Sequence, residues 1–276
     1  LDKIIFQQVT GELARVFKVD TTKQRLDSVH IRSNMRRLGR IRIFSETIHK
    51  FLINLKRQDK VLYERVNKKT RDRYITKKAL SCFSMVKPSE TPRTLKDVST
   101  DLFELITLFS KEARVTAMHS YKLMARIFEE QCHVVEDATK KPEVFMKAPK
   151  EIPADSLQNP SDPDATYDGH KGQGYQVQLI ETFSDKEKSK EDKAQTLNLI
   201  THVEVQEACD SDAKALIPAI EATKKQGLGA KEILVDSLYG SDANVTEAKK
   251  RGVEIISPAM GSNREGKLPL SSFTFT

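Results

Sequence analysis

No apolar run in the sequence approaches the roughly 18 residues that a membrane-spanning helix needs. The first residues, LDKIIFQQVTGELARVF, lack a basic lead, a continuous apolar block and a small-residue cleavage site. A signal peptide is therefore not expected, and an amphipathic helix is. Cysteine is scarce: Cys82, Cys132 and Cys209 are odd in number and far apart, so the reading is a reducing cytoplasm without a disulfide frame. Neither CxxC nor HxxxH accompanies Cys132 and His133, which leaves a core thiol beside a surface histidine rather than a zinc site. A phosphate loop is also missing. Gly169-His170-Lys171-Gly172-Gln173-Gly174 has glycines enough, but it leads into a strand and lacks a Lys-Ser/Thr ending, so a tight turn is expected.

What the chain does have is charge. With 38% hydrophobic and 31% charged residues it is a soluble, folded sequence rather than a disordered one. Residues 1–150 hold 32 Lys and Arg against 18 Asp and Glu, whereas residues 151–276 hold 14 against 21. A basic half joined to an acidic half fits a polyanion-binding surface attached to a carboxylate-lined site. Solvated faces of Lys-rich helices would give the same totals, and charge alone does not separate the two.

Periodicity orders the chain as follows. Residues 1–18 read as a helix with Ile4, Ile5, Val9, Leu13, Val16 and Phe17 along one side. Residues 24–31 read as a strand. From 35 to about 70, apolar residues at helical spacing predict one long helix, or two joined near Gln58 and Asp59, with Gly39 weakening its start by about 1 kcal/mol. Pro88 and Pro92 break the pattern, and helices over 94–110 and 113–137 follow. The second carries Val115, Met118, Tyr121, Leu123, Met124, Ile127 and Phe128, a stripe assigned to the core rather than to a cofactor. Residues 138–173, with five prolines, read as an irregular connector in which Asp162 and Asp164 form turns. Strands over 175–183 and 197–205 make a hairpin across the polar loop 184–195. Asp210, Ser211 and Asp212 then offer capping oxygens to a helix over 213–225, kinked by Pro218 and ended by Gly227 and Gly229. Strand 232–236, helix 242–251 and strand 253–257 complete a parallel α/β unit.

Two residues stand out against this pattern. Asp27 lies in the middle of a largely apolar strand, where a carboxylate is costly to bury without a metal, a cation or a proton. Asp236 lies in a second strand of the same kind. Side by side, neighbouring strands would bring them roughly 5 Å apart. Two carboxylates that close do not both stay ionised cheaply unless a cation sits between them. The pair reads as half of a divalent-metal site built across a sheet.

Three blocks, LDSVHIRSNMRRLGRIRIF (26–44), DPDATYDGHKGQGYQVQLIET (162–182) and VDSLYGSDANV with GVEIISPAMG (235–261), resemble the DDE transposases of bacterial insertion sequences. The resemblance runs over most of the chain, in the family's order. It implies an α/β fold: a ribonuclease-H-like mixed sheet flanked by helices, with a large all-helical insertion between the first and second strands. The implied segments are 1–32 (first helix and first catalytic strand), 33–150 (basic helical insertion) and 151–276 (remainder of the sheet domain, cut short). Asp27 and Asp236 correspond to the first two acids of the triad and would be both catalytic residues and ligands to two Mg²⁺ ions, with Mn²⁺ as a substitute. The implied reaction is DNA cleavage and strand transfer at insertion-sequence ends, by in-line attack of water or a 3′-hydroxyl. Carboxylate donors suit Mg²⁺, in keeping with the lack of a cysteine or histidine set.

Arg32, Arg36, Arg37 and Arg40 follow the first acid closely, as phosphate contacts or as a solvated helix face. His30 reads as a sheet residue rather than an acid or base. No glutamate matches the third acid, since Glu254 falls in a strand and Glu265 in a glycine-flanked loop; neither is assigned. The chain is thus expected to be an inactive internal fragment of such an enzyme, from a bacterial cytoplasm and its nucleoid. Its partners would be DNA (transposon ends and target) and a second copy of itself, with no membrane. A noncatalytic basic nucleic-acid-binding protein and an inert structural remnant are the alternatives.

Overall fold

In the computed structural model the described residues are 2–35, 38–75, 83, 85–135, 142–183 and 197–258. In chain order the elements are α1 (Asp2–Val16), β1 (Lys23–Arg32), α2 (Arg40–Gln58), α3 (Lys60–Glu64), α4 (Lys68–Ile75), α5 (Thr91–Phe109), α6 (Ala113–Thr116), α7 (His119–Gln131), β2 (Cys132–Val135), β3 (Glu143–Met146), β4 (Thr166–Asp168), β5 (Gly172–Thr182), β6 (Ile200–Glu207), α8 (Leu216–Lys225), β7 (Glu232–Leu234), α9 (Asp242–Lys250) and β8 (Glu254–Ile256). The fold is mixed α/β, with parallel and antiparallel strand pairs in one sheet. Among the described residues no helix is long and apolar enough to cross a membrane. The chain forms two compact units, one of residues 1–29, 176–206 and 210–276, the other of residues 30–175 and 207–209.

In the first unit β6 pairs with β5, and the order continues through β1 and β7 to β8. β1 and β7 run parallel in the register Lys23↔Glu232, Gln24↔Ile233, Arg25↔Leu234. β7 and β8 are also parallel, so the strand–helix–strand pattern of the sequence is present. α8 and α9 supply Leu216, Ala219, Ile220 and Ala248 to a core shared with Leu26, Ile180, Ile233 and Val253. Gly227, at φ +74°, ends α8: its amide and that of Leu228 donate to the Lys224 and Thr223 carbonyls, closing the last turn. Pro218 occupies the third position of α8, where an amide would have no intrahelical acceptor, so the expected kink has no cause there. The amphipathic helix expected at the start is present as α1, and of its stripe Leu13 packs against the Ala14 cluster. Ile4, Ile5, Val9, Val16 and Phe17 are exposed, and α1 buries Thr10 and Ala14 instead, the latter against Leu199 and Leu228. The expected loop 184–195 lies outside the described residues.

The second unit is built on α2 through α7, around Phe44, Ile48, Phe51, Leu52, Leu102, Phe109, Met124 and Ile127. The Met and aromatic stripe of α7 is core, as its spacing predicts. The long basic helix breaks at Asp59, whose carboxylate accepts from the Leu62 amide at 3.0 Å and caps α3. Gly39 sits outside α2 as its extended N-cap residue, so it does not weaken the helix. The insertion is not all helical. The helix expected to reach 137 stops at Gln131, and β2 pairs antiparallel with β3, from Cys132↔Met146 to Val135↔Glu143. β-Branched residues favour that hairpin, and His133 stacks on Phe145 across it, ring centroids 5.7 Å apart.

The proline-rich stretch belongs with this unit because helix side chains hold its backbone. Arg126 donates to the Pro163 and Asp155 carbonyls at 2.9 and 2.8 Å, and the Leu157 amide donates to Glu130 at 2.8 Å. Asp162 accepts from Ser33 and from Tyr175. β4 and β5 form an antiparallel hairpin whose turn is the glycine cluster, with the Asp168 carboxylate taking the His170 and Lys171 amides.

Candidate metal centre

Asp27 occupies the fifth position of β1, and the strand is long because its residues alternate between a core face and an open face. Leu26 is buried in the helix-covered core while Asp27, its neighbour, is exposed. Continued two steps beyond Arg25↔Leu234, the parallel register would bring Asp27 opposite Asp236. The ladder itself stops at Leu234, short of the expected 236. Asp236 turns the chain instead, its Oδ1 accepting from the Leu238 amide at 2.9 Å. Asp27 likewise takes the Ser28 amide at 2.8 Å. Arg25 and Lys23, on the same strand, are paired with Glu181 and Glu232 at 2.6 and 3.3 Å. Among the described residues neither Asp27 nor Asp236 has an ion-pair partner.

Tyr239, just after β7, ties that segment to β5. It is fully buried, and its hydroxyl donates to Gln178 Oε1 of β5 at 2.6 Å. Gln178 Nε2 in turn donates to Asp212 Oδ1 at 3.0 Å, and the phenol itself lies 3.4 Å from that oxygen. Burial raises the Tyr239 pKa far above the ordinary tyrosine value, with Asp212 the next cause and the charges of Asp236 and Asp27 adding to it. The phenol therefore stays protonated and available as a donor, and one buried group feels both candidate carboxylates. Asp212 corrects an expectation: it was read as a helix cap, but no side-chain cap bond forms at its turn, and its carboxylate serves Gln178 instead. Nothing in the local sequence distinguishes the two roles.

The remaining candidates divide. Arg32 ends β1 and is exposed. Arg36, Arg37 and Glu265 lie outside the described residues. Arg40 is corrected: its guanidinium donates to Gln131 Oε1 and to the Lys147 carbonyl, both at 2.9 Å, so it ties α2 to α7 and is not free for phosphate. His30 is a sheet residue whose two ring nitrogens have no hydrogen-bond partner; burial is the first cause of its lowered pKa. Glu254 lies in β8, in register with Glu232 and exposed. Cys132 is a core thiol, pushed up to about 12 by burial. Among the described residues no group of three or more His, Cys, Asp or Glu side chains is placed to hold a metal ion. The Asp27 and Asp236 oxygens are hard donors that suit a small divalent cation, and two carboxylates supply part of its coordination. No family model, curated protein or solved structure matches the chain.

Proposed function

We propose that the chain is the catalytic portion of a metal-dependent DNA strand-transfer enzyme of the DDE transposase type, with a ribonuclease-H-like sheet. The observation that supports the reading is the parallel β1–β7 pairing, whose register, continued past its last pair, would bring Asp27 opposite Asp236; among the described residues neither carboxylate has an ion-pair partner. The three sequence blocks supply the family. In this reading Asp27 and Asp236 hold Mg²⁺, which would supply Lewis-acid activation of an attacking oxygen and charge stabilisation on the leaving one. The residues around them do the positioning: the Leu238 and Ser28 amides donate to the two carboxylates and orient them. Turnover needs a third acid, because two carboxylates leave a dication's coordination incomplete. The chain alone is therefore expected to bind metal and DNA without cleaving.

A second reading, a noncatalytic nucleic-acid-binding protein, is favoured by the charge of residues 1–150. Fluorescence anisotropy of a DNA duplex, at low salt and with or without Mn²⁺, separates the two. The transposase reading expects Mn²⁺ to tighten binding, and Asp27→Ala or Asp236→Ala to abolish that gain. Affinity indifferent to Mn²⁺ and to both substitutions would select the second reading. No binding at all would refute both.

A further inference from the structure

We propose that Tyr239 is a positioning residue for the metal centre: its buried phenol ties the segment after β7 to Gln178 of β5, the strand beside β1, and so positions Asp236 relative to Asp27. The inference rests on the metal-site reading of those two acids. Asp236 lies beyond the last ladder residue, Leu234, so the β1–β7 hydrogen bonds do not fix it. Something else must.

Three contacts do so, all within the first unit. The Tyr239 hydroxyl donates to Gln178 Oε1 of β5 at 2.6 Å. The Tyr239 carbonyl accepts from Asn244 Nδ2 at 2.9 Å, which ties the segment to the first turn of α9. At Gly240 a Cβ would fall 2.1 Å from Ser257 Oγ and 2.6 Å from Ser257 Cβ, so the chain is pressed against the residue following β8. Of these, the phenol alone reaches the strand that flanks β1. A phenylalanine would fill the same space but leave Gln178 Oε1 without this partner. Outer groups that orient metal ligands in this way typically change metal affinity by about 10–100-fold when removed.

Titration of the intact 276-residue chain with Mn²⁺ alone, read by the electron paramagnetic resonance signal of the free ion, tests the assignment. Circular dichroism confirms folding of each variant. Tyr239→Phe is expected to weaken Mn²⁺ binding by about tenfold while remaining folded. Val253→Ala, which thins the same core without touching the phenol, is expected to leave the affinity unchanged. Wild-type affinity in Tyr239→Phe overturns the proposal, as does an equal loss in Val253→Ala, which would mean general loosening. If Tyr239→Phe does not fold, Gln178→Leu, which removes the phenol's acceptor, decides: unchanged affinity overturns the proposal, and a several-fold loss supports it. Failure of the underlying reading looks different. In that case the wild-type chain binds no Mn²⁺, or Asp27→Asn and Asp236→Asn bind it as well as wild type.

Discussion

His202 is 2% exposed on β6, with its Nε2 3.4 Å from a Glu204 carboxylate oxygen. Burial is the largest influence and lowers its pKa; Lys3 acts the same way and Glu204 opposes them. Because the folded value lies below the unfolded one, near 6.5, the unfolded chain takes up the proton first as pH falls. The stability this neutral histidine contributes is present above about pH 6.5 and lost as pH falls from there through the folded pKa. Urea midpoints at about pH 7.5 and about pH 5.5 should therefore differ, and His202→Gln should shrink the difference. An unchanged difference in the variant would contradict the assignment. Gly174 makes a second prediction at this scale. A Cβ there would lie 2.1 Å from the Ile31 carbonyl oxygen, a backbone atom that cannot swing aside. Gly174→Ala should destabilise by about 1–3 kcal/mol in urea unfolding. Gly169→Ala, with nothing within 4 Å, should stay within about 0.5 kcal/mol of wild type. Asp27 and Asp236 stand out in the sequence as carboxylates inside apolar runs, yet both are exposed in the structure, so the burial cost expected for them does not arise. Tyr239 and Asp212 do not stand out. A tyrosine among apolar residues reads as core, an aspartate before a helix reads as a cap, and the bond from Tyr239 to Gln178 spans 61 residues.

Elements were readable where hydrophobic period and length agreed. α2, α5 and α7 bury the stripes that their 3.6-residue spacing marks. Asp59 divides the basic helical stretch where the sequence placed a joint, and its single carboxylate bond to the Leu62 amide starts α3. Asp59→Ala should cost about 1 kcal/mol, seen as a lowered urea midpoint with an unchanged slope. No change in midpoint would mean that packing of Tyr63 alone sets the joint. β2 and β3 stayed hidden because a four-residue strand following a helix without a break has too few alternations to outweigh the preceding period. α1 shows the opposite limit. Its periodicity is real, yet the stripe does not say which face the fold covers, and the small residues Thr10 and Ala14 are the ones buried.

On the scale of the whole molecule, the proposed DNA binding would be governed by phosphate contacts, and its affinity should fall steeply as salt rises. The structure sorts the arginines that composition lumps together. Arg32, exposed at the end of β1, should reduce the salt slope by about 1 when changed to Ala. Arg40, bonded to Gln131 and to the Lys147 carbonyl, should leave the slope alone and lower stability instead. Anisotropy titrations across a salt series distinguish them, and equal slopes for wild type and Arg32→Ala would remove Arg32 from the interface. The α/β class and the strand–helix–strand end were visible in the sequence. The division into units was less so, because side-chain bonds from Arg126, Glu130 and Lys50 decide where residues 151–175 belong.

A crystal structure of the chain grown with Mn²⁺, its metal located by anomalous scattering, tests the central claim most directly. The account predicts a peak in contact with carboxylate oxygens of both Asp27 and Asp236. A peak on neither, or the two side chains turned to separate solvent regions, would contradict it.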